Sequence, residues 1–535
     1  MSDPRAAAAL APVLVGCGPA ATPAPPERIG FKAHNLARMA ALGLPVPPAF
    51  VLPTGWCADA AALRPAHWQG ALQALEAASG ARLGDARRPL LVSVRSGAPV
   101  SMPGMMETLL NVGLADATVP GLLRATGNPR LVWDAYRRLV AGFGEVVLGV
   151  AAGVFEADLA QVAAGRDERE LDFAELRTLT RLHLAAVRRE SGSDFPQHAP
   201  EQLAQAVHAV FASWQSDKAC AYRRLHALPE APGTAVTVQR MVFGNGGGLS
   251  GAGVGFTRHP STGAPEPWVD FLFNAQGEDV VSGRRSARGH DELAAVAPAL
   301  WRELLAAART LERAFGDMQD LEFTVEDGRL WLLQARAGKR SAEARARIAL
   351  DLLDEGVIDA AEARRRTEGL DAAALATTRV VESDGRAARP LAQAVSAAHG
   401  VAAGEIALDE ERARARRAAG APVLLLRRDA ETRDLAALEL AAGLLTARGA
   451  RTSHAAVVAR PMGKVCLVGC ETLEIDEARR RVRFGAVELA EGDTLTLDGH
   501  AGCVWRGAVK TVREEPRALL DRLAALRHRT APASR

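Results

Sequence analysis

One segment organises the second half of the chain: Thr446-Ala-Arg-Gly-Ala-Arg-Thr-Ser-His454-Ala-Ala-Val-Val-Ala459. The apolar run before it, Ala441 to Leu445, predicts a short buried strand, and Gly449 permits a sharp turn after that strand. Threonine and serine directly before the histidine favour a helix N-cap, and the alanines and valines that follow can begin a helix. The segment therefore predicts a strand, a turn and a helix start.

This arrangement would place His454 at or beside a helix N-terminus. Free backbone N–H groups and the helix dipole favour an anion at such a position. A neutral imidazole that attacks and carries a phosphoryl group suits it better than a cation does. An isolated Ser-His pair would more often only form hydrogen bonds near a cap, so the phosphohistidine interpretation depends on the rest of the chain.

Length and composition restrict the function classes. The 535 residues predict three or four domains, and the hydrophobic and charged fractions are ordinary for a soluble globular protein. A net charge of +2 gives no sign of a nucleic-acid-binding surface, and no apolar run is long enough to span a bilayer. We expect a cytoplasmic protein that binds neither nucleic acid nor membrane.

The cysteines suggest neither a zinc site nor disulfides. Only Cys466 and Cys470 lie close in sequence, and their spacing matches no zinc pattern, so we expect reduced thiols. Leu14-Val-Gly-Cys17 resembles a lipoprotein cleavage box. We interpret residues 12–16 instead as the first strand of the first domain, because the preceding segment carries little charge.

The hydrophobic pattern predicts a multidomain protein of mixed α/β and α+β class. Residues 1–112 alternate strand and helix patterns, and a helical pattern fills about 120–225. Strands return between 234 and 334. Residues 340–385 predict linking helices, and a compact unit that contains strands follows from about 386 to 508.

A predicted hairpin at 320–336 carries several polar groups. In the strand Asp320-Leu-Glu-Phe-Thr-Val, alternation places Asp320 and Glu322 on one face. Gln334 and Arg336 lie on the returning strand. Carboxylates and a side-chain carbonyl on one face are what Mg²⁺ on a polyphosphate needs, although an ordinary solvated face is the alternative.

The length of the turn decides whether these groups converge. A two-residue Asp-Gly turn would pair Glu322 with Leu333 and put Gln334 on the opposite face. A three-residue loop, Glu326-Asp-Gly328, with a left-handed glycine would pair Asp320 with Gln334. We predict the three-residue loop.

Three further segments could contact phosphates. The loop Met241-Val-Phe-Gly-Asn-Gly-Gly-Gly-Leu-Ser-Gly-Ala-Gly253 can bring backbone N–H groups against phosphates, although a flexible hairpin loop is equally compatible. Arg95 ends a buried strand in Val92-Ser-Val-Arg95-Ser-Gly-Ala, a suitable position for clamping a transferring phosphoryl group. Lys32, in Gly30-Phe-Lys-Ala-His-Asn-Leu36, is another candidate. Alone, either residue could simply be solvated.

These segments resemble, in their order, those of the pyruvate phosphate dikinase family. The resemblance runs from about Ile29 to Ala508 and includes longer motifs at 92–107, 274–281, 317–323 and 446–470. It implies an ATP-grasp domain that binds MgATP, in two parts (1–112 and 226–340) around a helical insertion (113–225). A linker (341–385), a swivelling phosphohistidine β/α domain (386–510) and a tail helix (511–535) would follow.

The resemblance also implies roles for individual residues. His454 matches the phosphorylated histidine, and Thr452 matches a position that some members use for regulatory phosphorylation. The other matches are phosphate-contacting or catalytic Lys32, Arg95 and Arg138; the adenine-lining strand with Gln239, Met241 and Val242; Glu278 in a nucleotide-site motif; Asp320 and Arg336 at phosphates; and Glu322 and Gln334 at Mg²⁺.

Some positions depart from the family pattern. Phe31 and Ala33 replace glycines beside the lysine, and Gly248 and Leu249 replace an acidic residue and a threonine in the glycine-rich loop. Ala398-His-Gly400 replaces a Ser-Pro-Gly turn. The chain stops where the family's phosphoenolpyruvate-binding barrel would begin.

The predicted function is a phosphotransferase with two steps. MgATP phosphorylates His454 and AMP leaves, with phosphate or water taking the γ-phosphoryl group. The domain then swings about hinges near 340–385 and 508–515 toward pyruvate on a separately encoded barrel. Two alternatives stay open, namely a different small-molecule acceptor and a non-catalytic, nucleotide-binding regulatory subunit.

Overall fold

The computed structural model describes most of the chain. It covers residues 10–18, 22–58, 64–100, 102, 106–225, 227–230, 233–281, 289–381, 390–429, 434–449, 459 and 462–528. Two compact units are present, Met1–Ser250 with Val325–Ala335 and Gly251–Thr324 with Arg336–Arg535. Among the helices in these ranges, none is long and apolar enough to cross a membrane.

The first unit contains an antiparallel sheet. The strands in this part of the chain are β1 (Val13–Val15), β2 (Ala49–Leu52), β3 (Arg82–Leu83), β4 (Pro89–Leu90), β5 (Val92–Gly97), β6 (Thr108–Val112) and β7 (Ala235–Arg240). The sheet has the order β1-β2-β7-β5-β6, and β3 and β4 form a separate two-stranded pair. The first strand, expected at residues 12–16, is thus present as β1.

Helices cover this sheet. They are α1 (Pro26–Ala41), α2 (Gln69–Ser79), α3 (Val119–Thr126), α4 (Pro129–Val146), α5 (Ala152–Ala163), α6 (Phe173–Ser191), α7 (Ala199–Ala212) and α8 (Asp217–Leu225). The helical pattern predicted between 120 and 225 is confirmed. Helices α4 and α7 share one apolar core with β5 and β7, in which Val94, Phe143, Val207 and Val238 are fully buried.

The second unit begins with part of a four-stranded sheet of order β11-β10-β8-β9. Its elements are β8 (Gly251–Phe256), β9 (Trp268–Phe273), α9 (Gly277–Val281), α10 (Asp291–Val296), α11 (Pro298–Phe315) and the hairpin strands β10 (Gln319–Glu326) and β11 (Arg329–Ala337). A Cβ on Gly251 would lie 2.2 Å from Phe271, and one on Gly253 would lie 2.3 Å from Phe323. The aromatic rings occupy the space that a side chain would need, so only glycine fits at these two positions of β8.

The turn between β10 and β11 corrects the predicted loop length. Only Asp327 and Gly328 separate the strands, and both are left-handed, with φ of 49° and 77°. Two left-handed central residues define a type I′ turn, which matches the twist of a hairpin and which Asp-Gly favours. The three-residue loop was therefore wrong.

The later part of the second unit contains a mixed eight-stranded sheet of order β13-β23-β22-β15-β16-β17-β18-β14. Its elements are β13 (Ala392–Gln393), β14 (Val395–Ala398), β15 (Val401–Ala407), α15 (Glu410–Ala418), β16 (Val423–Arg427), α16 (Leu435–Leu440), β17 (Gly443–Thr446), β18 (Val465–Val468), β22 (Thr494–Asp498) and β23 (Cys503–Arg506). Strands β15 to β18 are parallel neighbours. Leu424 and Leu425 enter cores on opposite faces, which is typical of parallel strands.

A small antiparallel sheet and a helical hub complete this unit. The sheet contains β19 (Leu473–Asp476), β20 (Arg481–Phe484) and β21 (Val487–Ala490). The hub contains α12 (Ala342–Asp354), α13 (Ala360–Arg366), α14 (Ala372–Leu375) and the last helix, α17 (Arg517–His528), whose Leu523 and Leu526 join the same core as Leu350. Strands β12 (Thr377–Val380) and β24 (Thr511–Glu514) pair antiparallel beside it.

Candidate nucleotide and phosphotransfer site

An acid and an arginine meet on the hairpin. The Arg336 Nε donates to Asp320 Oδ2 at 2.8 Å, and both side chains are partly exposed. Burial opposes the charge on Arg336, but attraction to Asp320 and Glu322 outweighs it and raises the pKa of the guanidinium. We call Asp320, Glu322 and Arg336 the hairpin cluster.

One extra residue in β11 makes this contact possible. The turn places Glu326 opposite Arg329, and a hydrogen bond from the Gly338 N–H to the Met318 carbonyl, 2.9 Å long, joins the far ends. Eight steps separate the β10 ends and nine separate the β11 ends, which requires a β-bulge. The bulge brings Arg336 to the face of Asp320, although the turn alone would not.

The donor set of the hairpin cluster fits magnesium rather than a metal enclosed by protein. Glu322 is half-buried, and Asp320 already neutralises Arg336. Within the described ranges, no group of three or more His, Cys, Asp or Glu side chains could hold a metal. Mg²⁺ on a nucleotide usually takes only one or two carboxylates, and phosphates and water supply the remaining ligands. Gln334, the other predicted ligand, is buried.

Lys339 is a candidate that the sequence reasoning did not assign. Burial and the nearby Arg336 lower the pKa of its ammonium, while Asp320 acts in the opposite direction. The lysine is therefore within electrostatic range of the hairpin cluster. The scarcity of lysine in a chain rich in arginine was a signal that could have identified it.

Glu326, which the sequence reasoning treated only as a turn residue, is bound on both oxygens. Oε1 accepts from the Phe243 N–H and Oε2 from Arg240 Nη2, each at 2.9 Å. Burial raises the pKa of this carboxyl, against the opposing effects of Arg240 and the Phe243 amide. The guanidinium of Arg240 also lies 5.3 Å from the Trp331 ring centre.

Residues 243–250, the glycine-rich loop, connect β7 to β8. Gly247 and Gly248 have positive φ angles, and a Cβ on either would meet nothing within 4 Å. The neighbouring Leu249 is exposed. Space is therefore open on this side of the loop, as a phosphate-binding loop requires.

Lys32 lies beside the end of the strand that carries Arg95. A Cβ on Gly30 would stand only 1.9 Å from the Gly97 carbonyl oxygen, and the Phe31 N–H donates to the Ala98 carbonyl at 2.9 Å. Gly30, with φ of 76°, permits this close approach of α1 to β5. Lys32 is exposed, and Arg95 is half-buried on β5, which lies between β7 and β6.

The three residues predicted to line the adenine differ in burial. The Gln239 side chain is buried and its Nε2 donates to the Pro47 carbonyl at 3.0 Å. Met241 is half-buried, and its N–H donates to the Leu91 carbonyl at 2.9 Å. Val242 is buried. Only Met241 thus keeps accessible side-chain surface.

Arg138 belongs to a second charged group, which we call the helix cluster: Asp134, Arg137, Arg138 and Glu168. Arg138 Nε lies 3.0 Å from Asp134 Oδ2, and Arg137 Nη2 lies 2.6 Å from Asp134 Oδ1. Glu168 lies 3.3 Å from Arg138 and 3.4 Å from Arg137. Asp134 is 4 % exposed, so its pairing with Arg137 and Arg138 stabilises the fold by neutralising a buried charge.

Three of the residues singled out by the sequence fall where nothing can be said of the side chain. The Glu278 side chain, Thr452 and His454 lie outside the described parts of the chain. Strand β17 ends at Thr446, eight residues before His454, at the carboxyl end of the parallel strands β15 to β18. Functional groups of α/β sheets commonly lie beyond that end.

Comparison with known proteins gives the family. The pattern described as "Pyruvate phosphate dikinase, AMP/ATP-binding domain" matches residues 61–301 and 290–356, which together span more than half of the chain. The pattern described as "PEP-utilising enzyme, mobile domain" matches residues 420–502. The class of fold is therefore a nucleotide-binding domain followed by a mobile domain.

Three relatives carry the same name. "Pyruvate, phosphate dikinase" of Clostridium symbiosum is 40% identical over 498 residues, which are 90% of this chain and 56% of that protein. The Rhizobium meliloti (strain 1021) protein is 40% identical over 513 residues (91% and 57%), and "Pyruvate, phosphate dikinase 2" of Oryza sativa subsp. japonica is 41% identical over 490 residues (90% and 55%). The chain belongs to the pyruvate phosphate dikinase family and spans about half the length of these relatives.

Proposed function

We propose that this chain is an ATP-dependent phosphotransferase in which MgATP phosphorylates His454 and AMP is released. The observation that carries the proposal is the hairpin cluster, which lies within the segment that matches the AMP/ATP-binding domain. An arginine held by an aspartate, with a second acid on the same strand, is suited to a polyphosphate and its cation.

In the proposed step, a neutral imidazole nitrogen of His454 attacks the β-phosphorus in line. The bond from that phosphorus to the oxygen it shares with the α-phosphate breaks, and AMP leaves with the electron pair. Transfer of the γ-phosphoryl group to phosphate or water then leaves one phosphoryl group on the histidine. Lys32, Arg95 and Arg336 would hold the phosphates and stabilise the developing charge.

Glu322 and Gln334 would hold Mg²⁺ in this proposal. They would position the ion where its charge could neutralise the phosphate oxygens of a bound nucleotide. Glu322 supplies the charged oxygen, because Asp320 is already paired with Arg336. Gln239, Met241 and Val242 would line the adenine, and we retain Glu278 and Arg138 as nucleotide-site candidates by resemblance alone.

Delivery of the phosphoryl group to the acceptor requires the phosphohistidine domain to move. The contacts of the helical hub restrict where the hinges for this movement can lie. Arg258 binds Glu312 and also Glu355, the residue directly after α12, each at 2.8 Å. Arg340 binds Asp317 with both guanidinium arms. These pairs hold residues 341–375 against the preceding sheet, so we place the hinges beyond them, where the chain leaves β12 and enters β24.

The proposed acceptor is pyruvate, bound by a phosphoenolpyruvate/pyruvate barrel on a separate chain. The relatives are named for pyruvate and phosphate, and their length beyond the matched part leaves room for an acceptor domain. The mobile-domain match supports transfer from a moving histidine.

The test uses ATP labelled at the β-phosphate, with Mg²⁺ and phosphate. We expect acid-labile, base-stable label on the wild type, with AMP formed, and none on His454→Ala. His208→Ala, which changes an exposed histidine on α7, should label like the wild type. Binding of ATP without label would favour a nucleotide-binding regulatory subunit.

A second reaction identifies the acceptor. Labelled protein is mixed with pyruvate and with the full-length Clostridium symbiosum relative, in which the residue aligned with His454 has been replaced by alanine. Formation of labelled phosphoenolpyruvate supports a pyruvate acceptor in trans. Label that stays on the chain would instead indicate a different small-molecule acceptor.

A further inference from the structure

The glycine-rich loop is fixed at both ends and in the middle by side chains or turns outside it. At its start, the Phe243 N–H donates to Glu326. In the middle, Asn128 Nδ2 donates to the carbonyls of Asn245 and Gly246, at 3.5 and 3.4 Å. Asn128 is also the N-cap of α4, so its orientation is set by that helix.

The end of the loop is joined to the hairpin turn. The Gly328 N–H donates to the Leu249 carbonyl, and the Asp327 N–H donates to Ser250 Oγ, each at 3.1 Å. Gly247 and Gly248 lie between these fixed points and have open space beside them. The hairpin turn therefore determines the position of two peptide groups that are free to face a ligand.

We propose that Glu326 is a positioning residue that orients the glycine-rich loop, so that its Gly247 and Gly248 N–H groups receive the phosphates of ATP. This inference rests on the proposed binding of ATP. The carboxylate is suited to the task because one oxygen fixes the loop at Phe243 while the other binds Arg240, the last residue of β7.

Loss of the Glu326 carboxylate should weaken the binding of phosphate groups and not that of adenine. Loss of the Glu326 carboxylate removes an acceptor from a partly buried N–H and a charged partner from Arg240, and such contacts are individually large enough to reorient a short loop. The residues proposed to line the adenine have contacts that do not involve Glu326, since β7 pairs with both β2 and β5 and the Met241 N–H donates to the Leu91 carbonyl at 2.9 Å. Adenine binding should therefore change little.

The experiment measures binding of ATP with Mg²⁺, and of adenosine, by calorimetry on the full chain. For Glu326→Ala we expect ATP to bind about tenfold more weakly and adenosine to stay within about twofold of the wild type. Glu326→Gln keeps an acceptor for Phe243 and should recover part of the loss. Equal losses for both ligands, or no loss for ATP, would overturn the proposal.

Glu491 supplies a matched control. It accepts from the Leu408 N–H at 2.9 Å and is bound by Arg480, so it has the same kinds of partner as Glu326 but lies in the mobile domain. Glu491→Ala should leave both affinities unchanged. If it weakens ATP binding as Glu326→Ala does, the effect is general destabilisation and the positioning role is wrong.

Hydrogen exchange tests the positioning without nucleotide. Amides of residues 243–250 should exchange at least about tenfold faster in Glu326→Ala than in the wild type, and at the wild-type rate in Glu491→Ala. Unchanged exchange in Glu326→Ala would overturn the inference. If Glu326→Ala shows the faster exchange but the wild type does not label His454, the proposed function is wrong and the role of Glu326 in holding the loop is not.

Discussion

The hairpin cluster and the helix cluster contain the same residue types in different surroundings. In the hairpin cluster one arginine meets one aspartate, and the Arg336 side chain is 31% exposed. In the helix cluster two arginines surround one aspartate and also contact Glu168, and the Arg137 and Asp134 side chains are 8% and 6% exposed.

This difference separates charges available to a ligand from charges committed to the fold. A partly exposed pair can exchange water for phosphate oxygens, whereas a buried, fully bonded pair would have to give up its protein partners first. Residue type alone cannot make that distinction, since Arg138 and Arg336 both match family motifs. Variants of the two clusters should therefore affect activity and stability in opposite proportions.

The largest effect should come from Glu322→Gln. The substitution keeps the shape and removes the charge proposed to bind Mg²⁺, so we expect AMP formation to fall at least about 100-fold, or about 3 kcal/mol in barrier. Higher Mg²⁺ should restore part of the rate. The measurement is labelled AMP release across a Mg²⁺ titration.

The control for this prediction is Glu474→Gln on β19, an exposed acid that is paired with Arg483 on a neighbouring antiparallel strand. Its rate and Mg²⁺ dependence should match those of the wild type. A Glu322→Gln protein with normal AMP formation would show that the hairpin cluster is not the metal site. The two clusters would then no longer differ in function.

The helix cluster should show the reverse pattern. Asp134→Asn leaves Arg137 and Arg138 without their carboxylate in a buried position, and we expect a loss of about 3 kcal/mol in the free energy of unfolding. AMP formation by the folded protein should fall less than about tenfold. Urea unfolding and labelled AMP release, measured on the same preparation, check both expectations.

Asp194→Asn is the control for the helix cluster, because Asp194 pairs with Arg188 at 3.3 Å while both side chains are more than 70% exposed, at 73% and 74%. It should leave the unfolding curve unchanged. If Asp134→Asn instead removes activity without loss of stability, Arg138 acts on the nucleotide and the two clusters are alike.

The sequence predicted the elements better than their contacts. The short buried strand predicted from the apolar run Ala441 to Leu445 is present as Gly443–Thr446, because such a run is a local feature of the sequence. Gly251 and Gly253 were predicted to lie in the loop from Met241 to Gly253, since glycine has little strand propensity of its own, but they belong to β8. Aromatic rings from elsewhere in the chain determine their place.

The hairpin shows why a site needs more than its motif. The prediction chose the three-residue loop to bring Gln334 beside Asp320, against the local preference of Asp-Gly for a two-residue turn. The prediction nevertheless placed Asp320 and Arg336 on one face of the hairpin, and the structure confirms that they are in contact. A bulge produces this contact, and no sequence signal identified that bulge or the bonds of Glu326 to the glycine-rich loop.

The smallest effect expected is a change with pH in the stability difference between the wild type and Asp134→Asn. Burial alone would raise the pKa of Asp134, but Arg137 and Arg138 outweigh burial and hold it below its ordinary value. Its ionised form therefore stabilises the fold above about pH 4, the ordinary range of an aspartate, and this contribution is lost as the pH falls through the folded-state pKa. Urea unfolding at pH 7 and in acid should show the gap between the two proteins narrowing in acid. A gap that stays constant would mean that shape and not charge makes Asp134 important, and the buried cluster would then differ from the hairpin cluster in packing alone.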